Sequence, residues 1–198
     1  MSKGTIIITG ASAGLGAEMA RQFAALGYDL GLCARRTEKM AALRDEIGAA
    51  HPGRRVVLKA LDVTDDEAVF RVFKELAAEF GAVDRVIVNA GLGKGAALGK
   101  GRFDANRQTA VTNFVGALAQ SEAAMEIFRE QGRGHLVMVS SMSALRGMRK
   151  AMTVYAATTA GVAAIEKRKV KAYVPAWPWA PIGFLMKRLP LSVVRKLT

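Results

Sequence analysis

Cysteine is almost missing from this chain: Cys33 is the only one in 198 residues. One cysteine cannot close an internal disulfide, so a stapled secreted scaffold is excluded and a reducing, cytoplasmic setting is expected. Histidine is nearly as scarce, with only His51 and His135. With so few soft or imidazole ligands, no Cys/His zinc site is expected. Cys33 reads as an inert core thiol, and neither histidine has a triad partner in sequence. No apolar run reaches the 18 or so residues of a spanning helix. The opening MSKGTIIITG breaks at glycine with no cleavage region behind it, so it reads as no secretion leader. Acidic residues are also short, 17 against 29 basic, for a net charge of +12.

The basic excess is uneven. Residues 159–198 hold eight basic residues and one acidic, Glu166. A basic tail and a phosphate-bearing cofactor account for this better than a nucleic-acid duplex, so no nucleic-acid partner is expected. The same end holds four of the five prolines and both tryptophans. Residues 172–198 therefore read as a Pro/Trp-rich basic tail. Trp177, Trp179 and Phe184 beside Lys187, Arg188, Arg195 and Lys196 admit contact with a membrane surface, but packing over the fold or a partner subunit is favoured.

What the chain has in quantity is alternation. Hydrophobic residues make up 51% and charged residues 23%, the balance of a globular protein. Strands are predicted at Thr5–Thr9, Leu30–Ala34, Val56–Ala60, Arg85–Val88 and Leu136–Val139. Helices are predicted at about Leu15–Leu26, Thr37–Ala50, Asp65–Phe80 and Phe103–Gln131, with another starting near Met152. Thr37 and Thr64 are candidate N-caps, and Gly27 and Gly81 candidate stops. Five strands alternating with helices across short connections predict a single doubly wound α/β domain, a Rossmann-type parallel sheet with helices on both faces.

Between the first strand and first helix stands Thr9-Gly10-Ala11-Ser12-Ala13-Gly14-Leu15-Gly16. Glycines there let backbone approach a pyrophosphate, and the helix start offers free N–H groups and a positive dipole end. The spacing is TGxxxGxG. Asn89-Ala90-Gly91 follows the fourth strand, Asn113 lies in the long helix, Ser140-Ser141 ends the fifth strand, and Tyr155 follows. Together these motifs resemble the short-chain dehydrogenase/reductase family over about Thr5 to Ile165.

The resemblance implies a dinucleotide cofactor held by Gly10, Ser12, Ala13, Gly14, Leu15 and Gly16, by Asp62 and Val63, and by Asn89, Ala90 and Gly91. For Asp62, a role as turn acceptor before Thr64 stands beside that of adenine contact. The second strand ends in Ala34-Arg35-Arg36 with no carboxylate, and arginine suits a ribose 2′-phosphate, so NADP is expected over NAD. The resemblance further implies Tyr155 as acid/base, Ser141 as partner of the substrate oxygen, and Asn113 as positioner of a proton-relay water. It implies a small carbonyl or alcohol substrate and a homodimer or homotetramer. Val111, Phe114, Val115 and Leu118 give the long helix an apolar stripe for such an interface.

Two departures stand out. A phenol titrates near pH 10, so work at neutral pH needs a cation nearby. The family places a lysine four residues after the tyrosine, and here that position is Thr159. Lys150 and the Lys167–Lys171 cluster are near in sequence, but none has i+4 spacing from Tyr155. The alternative reading is therefore a catalytically impaired or non-catalytic NADP-binding homologue. Second, Ala160–Ile165 runs directly into a basic stretch with no sixth-strand pattern before Lys171. A βα unit takes about 30 residues or more, so a missing segment of roughly 30–50 residues is expected near 161–171, with the chain interrupted there and Lys171–Val174 a further strand.

Overall fold

The computed structural model describes residues 1–145 and 152–165. These residues form two compact units, one of Met1–Gly91 with Val115–Val139, the other of Leu92–Phe114 with the described residues from Ser140 onward.

The first unit is built on five parallel strands: β1 (Thr5–Thr9), β2 (Asp29–Ala34), β3 (Val56–Ala60), β4 (Arg85–Val88) and β5 (His135–Met138), in the order β3-β2-β1-β4-β5. β1 pairs with β2 from Thr5↔Asp29 to Thr9↔Cys33 and with β4 from Ile6↔Arg85 to Ile8↔Ile87. Burial on both sides explains why β1 reads TIIIT without alternation: all five residues are buried. Ile6 and Ile8 pack with Leu30, Leu32 and Ile87 against Ala17, Ala20 and Ala24 of α1 (Gly14–Ala25) and Met40, Leu43 and Ile47 of α2 (Thr37–Ala50). On the other side Ile7 meets Leu76 of α3 (Asp66–Phe80) across Gly31, where an added Cβ would stand 3.2 Å from both Leu76 methyls. α5 (Gly116–Glu130) packs beside α3, its backbone so close to Val63 that a Cβ on Gly116 would lie 2.6 Å from the Val63 carbonyl oxygen.

The order reverses between β1 and β4, and ligands of such sheets bind outside the strand C-termini at that switch point. There the Gly10–Gly16 loop leaves β1 and Asn89–Gly91 leaves β4.

The second unit contains α4 (Phe103–Ala110), a single π turn over Val111–Val115 up to Phe114, a 3₁₀ turn at Met142–Leu145, and α6 (Thr153–Ile165).

Several boundaries differ from expectation for local reasons. The helix expected over Phe103–Gln131 is α4 and α5 separated by the π turn, which shifts the helix face by one residue without altering the composition that local signals read. Thr64 does not cap α3; Asp65 does, accepting from the Ala68 N–H at 2.9 Å, while Thr64 hydrogen-bonds Asp62 instead. Thr37 is the first helical residue of α2, and Arg36 takes the cap position without a side-chain cap. The fifth strand is His135–Met138, one residue earlier than expected, although the Val139 N–H still donates to the Val88 carbonyl. Gly27 and Gly81 stop their helices at φ +95° and +81°, where a side chain would be strained. The expected interruption near 161–171 falls on α6 only as far as Ile165; its remainder, the Lys171–Val174 strand and the tail lie outside the described residues.

Candidate functional site

The candidate nucleotide-binding residues of the first unit are shaped by backbone fit. Gly10 has φ +66°, and a Cβ there would stand 2.9 Å from the Ala90 Cα. A Cβ on Gly16 would lie 2.4 Å from the Gly10 carbonyl oxygen and 2.7 Å from Asn89 Nδ2. Gly14, at φ +56°, meets nothing within 4 Å, so its glycine serves conformation rather than space. Ala13, Gly14 and Leu15 are exposed at the mouth of this loop, whereas Ala11 and Gly16 are buried beneath it.

Thr9 ties the two loops together. Its Oγ1 accepts from the N–H groups of Asn89 and Ala90, both at 3.1 Å, and Asn89 Nδ2 donates to the Thr9 carbonyl at 2.9 Å. Thr9 is fully buried and was not among the expected site residues. Its signal was in the motif itself: a hydroxyl directly before the first glycine, at the strand end facing the second loop.

α1 begins at this loop with Ala13 as N-cap, no side-chain cap bond and no acidic residue in its first turn. α3, by contrast, has Asp65 as cap and Asp66 and Glu67 in the first turn. The N–H groups and positive end of α1 are thus left to a ligand anion, as a pyrophosphate requires. The residues present fit a dinucleotide.

The two arginines do different things. Arg36 folds back onto the loop, donating to Ser12 Oγ from Nε at 3.2 Å and Nη2 at 3.0 Å. Arg35 is exposed, with Nη1 3.6 Å from Asp62 Oδ2. Asp62 Oδ1 accepts from the Thr64 N–H at 3.0 Å and Thr64 Oγ1 at 2.8 Å, so the turn-acceptor role is realised. Partial burial pushes the Asp62 carboxyl up, but the Thr64 hydrogen bonds and the Arg35 charge outweigh it and hold it below the usual carboxylate range. Val63 is buried against α5. Cys33 is buried in β2, and burial pushes its thiol up to about 12, as an inert core cysteine requires.

The candidate residues of the second unit are held by side chains. Asn113, buried within the π turn, accepts from the Leu92 N–H at 2.7 Å through Oδ1. Its Nδ2 donates to the Leu92 carbonyl at 2.9 Å and reaches Thr158 Oγ1 at 3.5 Å. Two more polar residues of α4 hold the same loop: Asn106 Oδ1 accepts from the Ala96 N–H at 2.9 Å, and Thr109 Oγ1 donates to the Lys94 carbonyl at 2.9 Å. Residues 113, 109 and 106 share one helical face, and they grip loop residues 92, 94 and 96 in antiparallel order.

Ser141 Oγ accepts from the Ser143 N–H at 3.2 Å, opening the 3₁₀ turn and leaving its own proton free to donate. Tyr155 is half-buried in the first turn of α6. Thr159 is buried, and its hydroxyl meets the carbonyls of Tyr155 (3.0 Å) and Ala156 (3.1 Å) and Ser143 Oγ (3.1 Å). Ser140 Oγ donates to the Thr159 carbonyl at 2.8 Å. Threonine is thus built into this position, cross-linking the 3₁₀ turn to α6. Ser143 and Thr158 were not anticipated, because a buried hydroxyl inside a helical or turn sequence carries no motif of its own.

The profile of the short chain dehydrogenase family matches residues 4–174, and the chain belongs to that family. It is 40% identical to an uncharacterized oxidoreductase of Mycobacterium tuberculosis over 242 residues, covering 96% of each chain. Since 96% of this 198-residue chain is about 190 residues, about fifty of those 242 positions have no residue here. Among solved structures, levodione reductase is 28% identical with a TM-score of 0.78, over 83% of this chain and 64% of its own. A metagenomic short-chain oxidoreductase in complex with NADP is 27% identical with a TM-score of 0.76, over 83% of this chain and 74% of its own. A short chain dehydrogenase/reductase from Burkholderia phymatum in complex with NAD is 25% identical with a TM-score of 0.77, over 83% and 58%. The chain is therefore an oxidoreductase of the short-chain dehydrogenase/reductase family, with a Rossmann-type parallel sheet.

Proposed function

We propose that this oxidoreductase uses NADP(H) to interconvert a small carbonyl compound and its alcohol. The observation that carries the cofactor choice is the end of β2, where Arg35 and Arg36 stand with no carboxylate and Arg36 is already bonded to Ser12 of the glycine loop. A guanidinium fork there suits a 2′-phosphate, whereas a ribose diol would need an acidic acceptor.

Gly10, Ser12, Ala13, Gly14, Leu15 and Gly16 would hold the pyrophosphate, with Asp62, Val63 and Asn89–Gly91 bordering the adenosine and nicotinamide ribose. When bound, NADP(H) supplies or accepts the hydride. Tyr155 gives a proton to the carbonyl oxygen in reduction and takes it back in oxidation. Ser141 donates the free proton of its hydroxyl to the same oxygen and stabilises the charge that develops there. Asn113 positions: its carboxamide is committed to Leu92 and Thr158, so a relay water would be met by its main chain.

The fifty or so absent positions are assigned to the window between Gly161 and Lys171, where the motif order breaks. Phe114, Val115 and Leu118 are exposed and support a homodimeric or homotetrameric assembly. Among the described residues no helix is long and apolar enough to cross a membrane.

The test is titration of NADPH and NADH into the protein and into a variant carrying Arg35→Ala and Arg36→Ala. Each charge-assisted phosphate contact contributes about 1.5–3 kcal/mol, so NADPH should bind at least tenfold tighter than NADH and the variant should lose that margin. Equal affinities for both cofactors, or an unaffected double variant, would remove the NADP assignment.

A further inference from the structure

α6 carries threonine at two consecutive positions, 158 and 159, and both side chains are buried. Consecutive helical residues stand about 100° apart around the axis, so the two face different neighbours. Each hydroxyl bonds back to the same acceptor, the Tyr155 carbonyl, at 2.9 Å from Thr158 Oγ1 and 3.0 Å from Thr159 Oγ1. Such back-bonding is common for a helical threonine and by itself says nothing about function. The next bond does. With its proton committed to a carbonyl, each hydroxyl oxygen can only accept, and each meets a donor from a different element. Thr158 Oγ1 is reached at 3.5 Å by Asn113 Nδ2 of the π turn, which also donates to the Leu92 carbonyl. Thr159 Oγ1 lies 3.1 Å from Ser143 Oγ of the 3₁₀ turn, and the Ser143 N–H donates to Ser141 Oγ at 3.2 Å.

We propose that Thr158 and Thr159 are positioning residues, a bracket whose two arms meet on the Tyr155 main chain and hold Asn113 on one side and Ser141 on the other. The first arm runs from Leu92 through Asn113 and Thr158 to Tyr155. The second runs from Ser141 through Ser143 and Thr159 to the same carbonyl, and it is braced by Ser140 Oγ donating to the Thr159 carbonyl at 2.8 Å. Asn113, Ser143, Thr158 and Thr159 are all buried, so water does not replace a lost bond. The inference rests on the proposed function in taking Tyr155 and Ser141 as the groups that meet the substrate oxygen. Two groups addressing one oxygen must keep their spacing, and a misplacement of about 1 Å can cost about a hundredfold in rate. The bracket also gives position 159 a task that the family's lysine cannot perform. An ammonium has protons to give and no lone pair to offer, so lysine there would leave the Ser143 hydroxyl without its acceptor.

The full chain offers a readout that needs no turnover. Amide hydrogen exchange is followed at Leu92, whose N–H donates to Asn113 Oδ1, and at Ser143 and Ala144, whose N–H groups donate to Ser141 Oγ and the Ser141 carbonyl. Valine keeps the shape of threonine and drops the hydroxyl. Thr158→Val should speed exchange at Leu92 severalfold more than at Ser143 and Ala144, and Thr159→Val should do the reverse. Thr159→Ser should return the turn to parent rates. A role confined to stabilising α6 would speed all three amides together in both valine variants. Turnover is read with NADPH and three carbonyl probes, phenylglyoxal, cyclohexanone and phenanthrenequinone. Each valine variant should lose about tenfold or more in kcat with KM within about twofold, and Thr159→Ser should recover most of the loss. Thr159→Lys should turn over no faster than the parent. An uncrossed exchange pattern, full kcat in either valine variant of an active parent, or a faster Thr159→Lys overturns the bracket. The crossed pattern in a chain that reduces none of the three probes would overturn the proposed function and leave the bracket standing.

Discussion

The two units solve the same problem, holding groups in place for a ligand, with different materials. In the first unit the work is done by atoms that are not there: Gly10 and Gly16 let the glycine loop, Asn89 and Ala90 close on one another at distances no Cβ permits. In the second it is done by side chains that reach: Asn106, Thr109 and Asn113 grip a loop, and Thr159 and Ser143 join a turn to a helix. The first arrangement is intolerant of any added atom. The second loses one bond at a time.

The sharpest break of that contrast is Gly16→Ala. Alanine is worth about 1 kcal/mol over glycine inside a helix, so propensity alone predicts a gain. Against it, the new methyl would stand 2.4 Å from the Gly10 carbonyl oxygen, a backbone atom that cannot swing aside. Overpacking of this kind costs about 1–3 kcal/mol, and the backbone partner puts it at the upper end. A net loss of about 2 kcal/mol is expected, or a fall of roughly 4–8 °C in Tm for a domain of this size. NADPH affinity should drop more than tenfold if the displaced loop is the phosphate cradle proposed above. A calorimetric melt and a fluorescence titration check both, and an unchanged melt would show that the loop yields more easily than its geometry implies.

How much of this was legible in the sequence follows the same division. β1, α2, β3 and β4 fall where expected because apolar runs bounded by glycines and caps are local signals. The close approach of the glycine loop to the turn after β4 was legible because a motif spacing encodes a backbone shape. The Thr109 and Asn106 rungs were not, since a polar residue on a helix face looks solvent-facing until the loop it holds is known. The π turn was equally silent, because inserting one residue into a turn shifts the face without altering composition. Asp65 displaced Thr64 as the α3 cap because Thr64 had a nearer partner in Asp62, a competition that adjacent candidates in sequence do not reveal.

Thr109→Val tests whether the second unit is as divisible as its bonds imply. The substitution keeps the shape and removes the donor to the Lys94 carbonyl. Lys94 is exposed, so water can replace part of that bond, and the cost should stay near 1 kcal/mol. Function should suffer more than stability: turnover should fall severalfold while NADPH binding, proposed for the first unit, holds. Equal losses in melt and turnover would mean that Thr109 merely stabilises α4.

The smallest effect is expected at Asp62, and it separates two roles that one side chain combines. Asp62→Asn keeps an oxygen for the Thr64 N–H and hydroxyl, so the turn after β3 should persist. What it removes is the charge opposite Arg35, 3.6 Å away and exposed to water. Because the folded state holds the Asp62 carboxyl below its ordinary range, the aspartate contributes stability at pH values above its unfolded pKa of about 4. That contribution is lost as pH falls through the lower, folded-state value. The parent should therefore lose stability more steeply than Asp62→Asn between about pH 4 and pH 2, with the two curves running parallel above pH 5. The gap should be small, since an exposed ion pair is worth about 0–1 kcal/mol. NADPH binding gives the complementary reading. If Arg35 serves the 2′-phosphate, releasing it from Asp62 should leave NADPH affinity intact or slightly raised while NADH affinity stays unchanged. A drop for both cofactors would assign Asp62 to the adenine itself, and the turn acceptor would then be doing a second job.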